Sequence, residues 1–78
     1  MLDQEAAIYL DDYFDAEDIN DLLAGYGWEM IKRTFGAIET VITIRTVDAD
    51  HLYIDDVVSE LREWLNVDAN IIWHEYLD

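Results

Sequence analysis

Basic residues are nearly absent from this chain. Its 78 residues hold four Lys+Arg against 19 Asp+Glu, a formal net charge of −15. So few cations exclude the basic groove that carries affinity for phosphates, and with it direct nucleic-acid binding and adhesion to anionic membranes. Cysteine is absent, which excludes a disulfide framework and thiolate chemistry. Proline is absent, and no repeat or Gly/Ser linker marks a boundary, so residues 1–78 read as one acidic domain. No segment approaches the ~20 apolar residues of a membrane helix. The N-terminal MLDQEAAIYL lacks the basic region of a secretory leader. The expected location is therefore the cytoplasm.

What is present is a folding composition. Hydrophobic residues make up 53% of the chain, with three Trp, five Tyr and two Phe, unlike a disordered acidic tail. A domain of this size buries only about 60% of its unfolded surface, so its stability margin is thin. Charge is distributed unevenly. Residues 1–31 hold nine acids and no base; residues 32–47 hold Lys32, Arg33 and Arg45 against Glu39; residues 48–78 hold nine acids and Arg62 alone. Two acidic regions thus flank a weakly basic middle, and a strongly basic partner is the one such a surface attracts.

The hydrophobic periodicity predicts an α+β fold. In YIDDVVSELREWLN (53–66), Ile54, Val57, Val58, Leu61, Trp64 and Leu65 recur on one helical face. Asp50, Asp55 and Asp56 suit the positive N-terminal end of that helix, and Asn66 is its stop. DAEDINDLLAG (15–25) predicts a second helix, N-capped by Asp15 with Asp18 in a loose capping-box position, striped by Ile19, Leu22 and Leu23, and ended by Gly25 and Gly27. TVITIRTV (40–47) is β-branched and predicts a strand. NIIWHEYL (70–77) and AAIYLDDYF (6–14) predict two more. WEMIKRTF (28–35) reads either as a strand hairpinned to 40–47 through GAIE, or as helix. As a strand it completes β-α-β-β-α-β, the ferredoxin-like pattern of one antiparallel sheet with both helices on one face; as a helix it leaves three strands.

Catalytic constellations are thin. Ser59 is the only serine and lies within a helical pattern, and His51 and His74 are far apart in sequence. A nucleophile–base–orienter set has little to draw on, and nothing marks one carboxylate pair among nineteen. The expectation is a chain that is not an enzyme and holds no cofactor. Clustered aspartates invite Ca²⁺, yet residues 11–22 and 48–59 lack the turn glycine and the twelfth-position Glu of an EF-hand loop. No metal site is expected. Tyr9, Tyr13, His74 and Tyr76 are expected to share the sheet face away from the helices. In RNA-recognition folds such a face stacks bases, but here the charge opposes that use, which leaves surface tyrosines or a contact face for a homodimer or another protein.

The remaining constellation is carboxylate rows. DDYFDAEDIND (11–21) holds six carboxylates and no base. A helix N-terminus accounts for Asp15, Glu17 and Asp18 but not for Asp11, Asp12 and Asp21. Asp56, Glu60 and Glu63 fall at i, i+4, i+7, beside Asp55. Like charges at these spacings, about 5–6 Å apart, destabilise a helix by ~0.2–0.5 kcal/mol per pair. A surface serving solubility alone would intersperse lysines. Rows of carboxylates imitate a phosphate track, since duplex DNA shows one charge per about 1.7 Å of axis.

On these features — small size, no cysteine, extreme acidity and the rows in DDYFDAEDIND and DDVVSELRE — the chain resembles the small acidic DNA-mimic inhibitors of phages and mobile elements, including anti-CRISPR, anti-restriction and uracil-glycosylase inhibitor proteins. The resemblance implies stoichiometric inhibition of a basic nucleic-acid-binding defence protein, with a CRISPR effector complex as the leading target. Three other readings use the same acids: an immunity protein or antitoxin against a basic nuclease, a halophile domain whose acids serve solvation, and an assembly subunit docked by its tyrosine face.

Overall fold

The computed structural model describes residues 3–77. The order is β1 (Gln4–Leu10), α1 (Ala16–Ala24), β2 (Trp28–Phe35), β3 (Thr40–Thr46), α2 (Ile54–Leu65) and β4 (Ala69–Tyr76). The strands form one antiparallel sheet in the order β2-β3-β1-β4. With both helices on one face, this is a ferredoxin-like α+β fold. Residues 28–35 are a strand, and the helical alternative is excluded.

Alternation along the two central strands sets the layers. Ala6, Ile8 and Leu10 of β1 and Ile42 and Ile44 of β3 point towards the helices and are almost fully buried. They meet Ile19 and Leu23 of α1 and Val57, Val58 and Leu61 of α2 in one core cluster. Trp28 opens β2 beneath that layer, fully buried, with its indole N–H donating to the Leu52 carbonyl at 2.8 Å. The adjacent turn requires glycine. Gly27 has φ +79, and a Cβ there would meet the His51 Cα at 2.8 Å. At the same corner the buried Gln4 amide bridges two imidazoles, its nitrogen 2.6 Å from His51 Nε2 and its oxygen 2.8 Å from His74 Nε2.

Several expectations need correction. β1 spans residues 4–10 rather than 6–14. Asp11–Phe14 leave the sheet because Tyr13 and Phe14 are satisfied elsewhere. The Tyr13 hydroxyl donates to the Gly36 and Ala37 carbonyls, its ring packs edge-on against Phe35 at 5.3 Å, and Arg33 donates to the Phe14 carbonyl. The loop is clasped to the β2–β3 turn rather than paired in a strand. Asp15 stands at the N-cap of α1 in the expected extended conformation, but its carboxylate makes no capping bond. Gly25 closes α1 in ordinary right-handed geometry, so the left-handed residue is Gly27, two positions later. The N-cap of α2 is Tyr53, which leaves Asp50 before the helix, bonded through its N–H to the Asp48 carboxylate. Asn66 is the left-handed C-cap of α2, as the sequence implies.

The tyrosine face does not form as drawn. Tyr9 does point away from the helices. Tyr13 is in the loop. His74 and Tyr76 pair with Ala6 and Gln4, the core-facing positions of β1, so they lie on the helix side. A bulge places Ile71 opposite Ile8 and Trp73 opposite Ala7, which leaves Ile72 as the extra residue and shifts the alternation of β4.

Candidate partner-binding surface

Trp64 is the largest departure from the helical pattern. Its spacing puts it on the apolar stripe of α2, yet it is 69% exposed. The stripe is buried only as far as Leu61. Beyond it, the end of α1 and the last turn of α2 leave a groove of about 580 Å³ between them. Leu22, Tyr26, Trp64 and Leu65 supply its apolar surface, and Asp18 and Asp21 line the α1 side. On the α2 side the Tyr26 hydroxyl donates to Glu60 Oε2 at 3.0 Å, and Glu63 flanks Trp64 in an adjoining depression. The two carboxylate rows, remote in sequence, thus converge on one groove, and none of the residues lining it is basic.

Tyr26 records the local field. The hydrogen bond to Glu60 is the main cause that holds its phenol above the ordinary value of 10.0; partial desolvation and the Glu60 and Glu63 charges add to it, while Trp64 acts in the opposite sense. A phenolate would face those carboxylates directly, so the neutral form is favoured.

The other predicted residues lie outside this groove, and Asp18 also borders a second depression. Asp11 and Asp12 share a surface depression with Asp68 and Arg62 at the opposite turn. They also have local work. Asp12 accepts from the Tyr13 N–H at 2.7 Å, and Asp11 accepts from the Tyr9 hydroxyl. Asp15 and Asp18 lie near Arg33 beside Tyr13, Phe14 and Phe35. Glu17 is exposed on α1, and Asp55 and Asp56 are exposed on the first turn of α2. Asp56 continues the Glu60–Glu63 stripe one turn back. Among the described residues the single ion pair is Arg45 with Glu5 at 3.9 Å, on the opposite face of the sheet. Arg62 spends its Nε–H on the Ala69 carbonyl.

Chemically, the groove can hold cations. A guanidinium laid over the Trp64 ring would gain a cation–π contact and find carboxylates on both sides. Among the described residues no three Asp, Glu or His side chains converge to hold a metal ion. Sequence reasoning identified the rows but missed Tyr26, Leu22 and Trp64 as the groove between them. A signal existed for Trp64, which sits in the last turn, four positions after Glu60 and next to Glu63.

No protein-family model matches the chain, and no curated protein matches it significantly. No helix among the described residues is long and apolar enough to cross a membrane.

Proposed function

We propose that the chain is a stoichiometric protein inhibitor, not an enzyme, whose helix layer mimics DNA and occupies the nucleic-acid-binding site of a basic bacterial defence protein in the cytoplasm. The observation that carries this reading is the convergence of Asp18 and Asp21 with Glu60 and Glu63 around one groove with no basic side chain in its lining. Dimensions support it. The molecule extends 37 Å along its long axis and about 20 Å across, against 34–36 Å for one turn of duplex. Residues 3–77 hold 18 acids and four bases, so one net negative charge falls every 2.6 Å or so of that axis. Duplex DNA has one per about 1.7 Å. A site built to grip phosphates with Lys and Arg meets a comparable line of charge. The resemblance in size and acidity directs the target class towards CRISPR effector complexes.

A second reading draws on Trp64. DNA offers a phosphate-binding site no such exposed ring, and an immunity protein that covers a basic nuclease would use one as an anchor.

Competition separates the two. The target of a mimic, captured from a bacterial lysate on the immobilised chain, is released by duplex DNA and by rising salt. A partner that resists DNA but yields to salt supports the antitoxin reading. Neutralising the α2 stripe with Asp56→Asn, Glu60→Gln and Glu63→Gln should weaken binding by about 10- to 100-fold. The amide introduced in place of the Glu60 carboxylate can still accept from Tyr26. Relief of two like-charge pairs, about 0.4–1 kcal/mol, is set against the lost Asp56 charge at the helix N-terminus, about 0.3–1 kcal/mol, so stability should change by less than about 1 kcal/mol. Unchanged affinity in that variant would remove α2 from the interface.

A further inference from the structure

We propose that the face of the sheet opposite the helices is a contact between two copies of this chain, paired face to face about a two-fold axis parallel to the strands. Among the described residues, neither helix packs on this face. Its chemistry is unlike the rest of the molecule. The two rows through Glu5 and Ala7 carry Glu5, Glu29 and Glu75 but also Lys32 and Arg45, two of the four bases, a net charge of −1 within a chain of −15, while Asp11 stands at the far end of the face beside Tyr9. The helix layer would repel its own copy, whereas these two near-neutral mixed rows can meet themselves.

The register makes the match specific. One row across the sheet reads Glu29, Arg45, Glu5, Glu75, and the next reads Lys32, Thr43, Ala7, Trp73. Rotation about an axis parallel to the strands lays β2 of one copy over β4 of the other and β3 over β1. Lys32 then meets the second copy's Trp73, and Arg45 meets the second copy's Glu5, each contact made twice. Lysine over indole is a cation–π pair. Trp73 is 39% exposed at the edge of this face, while Ala7 between it and Thr43 is 3% exposed, so the centre is already closed and smooth. Glu29 opposite Glu75 falls on the rim, where water screens the repulsion.

The edges argue against the alternative of strand addition. Both edge strands carry a bulge, at Ile31 in β2 and Ile72 in β4, and bulged edges pair poorly with a new strand. The face itself is modest. Four strands of seven or eight residues cover about 19 × 25 Å, which places the pair at the weak end of specific contacts, with dissociation at about micromolar concentrations or above. The helix layers would lie outward, further apart than the ~8 Å screening length at physiological salt. Added salt therefore removes more repulsion than it costs in contacts, and pairing should strengthen with salt. That sign is opposite to the one expected for the helix-layer partner, and the inference holds whether or not the inhibitor reading does.

The test is sedimentation velocity of the intact chain from micromolar to near-millimolar concentration, at low and physiological salt. The expected result is a monomer–dimer equilibrium that shifts towards dimer with salt. Lys32→Glu and Arg45→Glu should each return the chain to monomer with an unchanged circular-dichroism spectrum, and Glu5→Arg added to Arg45→Glu should restore the dimer. A chain that stays monomeric throughout overturns the proposal, as does a dimer that survives both single changes or one that is broken by Asp21→Lys on the helix layer.

Discussion

The two faces of this small sheet solve opposite problems with the same alphabet. Towards the helices, the outer surface gathers carboxylates around Trp64, in a groove whose lining holds no basic side chain. On the open side, Arg45 stands between Glu5 and Glu29 in the register, and the one described ion pair is found there. Both surfaces are exposed, so solubility alone would not treat them differently. Bases are available: Lys32 and Arg45 stand on the open face, while Arg33 and Arg62 are bonded to the Phe14 and Ala69 carbonyls, and none of the four lines the groove.

The three tryptophans sharpen the contrast, since each belongs to a different environment. Trp28 is fully buried, Trp64 is 69% exposed by the groove, and Trp73 is 39% exposed on the open face. The largest effect is expected at Trp28. Trp28→Ala leaves a cavity and strands the Leu52 carbonyl, at a cost of about 3–5 kcal/mol. Domains of this kind hold only about 5–15 kcal/mol, and each kcal/mol moves the melting temperature by about 4–8 °C. Thermal unfolding followed by circular dichroism should show a fall of at least about 12 °C, or no folded state at all. A fall of a degree or two would mean that the core does not depend on this residue.

Trp64→Ala should do the reverse. The side chain is mostly in water, so stability should change by no more than about 0.5 kcal/mol. If it anchors an arginine of the partner, affinity measured by calorimetry should fall at least about tenfold. Unchanged affinity, beside a loss in the Asp56/Glu60/Glu63 neutralised variant, would leave a purely electrostatic mimic with no use for the ring.

These roles were unevenly legible in the sequence. The α2 stripe from Ile54 to Leu61 could be read directly, because burial and the 3.6-residue period agree over two turns. The strand at 28–35 could not be separated from a helix by pattern, since only Trp28 in it is fully enclosed. Tyr13 and Phe14 extended the apparent first strand because periodicity registers that an aromatic ring needs cover, not which element supplies it. Trp64 was misplaced for the converse reason. α1 has nine residues against twelve in α2, and nothing in local spacing states that a neighbour stops short. The carboxylate rows were visible; their meeting depends on tertiary packing. On the open face one bulge turns His74 and Tyr76 to the helix side and Trp73 outward, and Tyr13 leaves with the loop, neither of which local alternation encodes.

The smallest expected effect tests the groove's field without any partner. Tyr26 holds its proton above the ordinary tyrosine value mainly because its hydroxyl donates to Glu60. Its folded value exceeds its unfolded one, so the folded state binds the proton more tightly. That contribution to stability is fully present below about pH 10, the unfolded value, and is lost as pH rises through the higher folded value. Ultraviolet titration of the wild type should therefore show late-ionising tyrosine, and Tyr26→Phe should remove part of that late absorbance. The stability of the variant should fall less steeply than the wild type's above pH 10 or so. Tyr9 is also raised, by partial desolvation and its bond to Asp11, and Tyr76 by its bond to Tyr53, so some late titration should remain. Glu60→Gln separates the causes. It keeps an acceptor but removes the charge, so Tyr26 should ionise earlier than in the wild type. If neither substitution moves the titration, the carboxylates of α2 do not act on the groove, and the difference between the two faces reduces to the placement of Lys32 and Arg45.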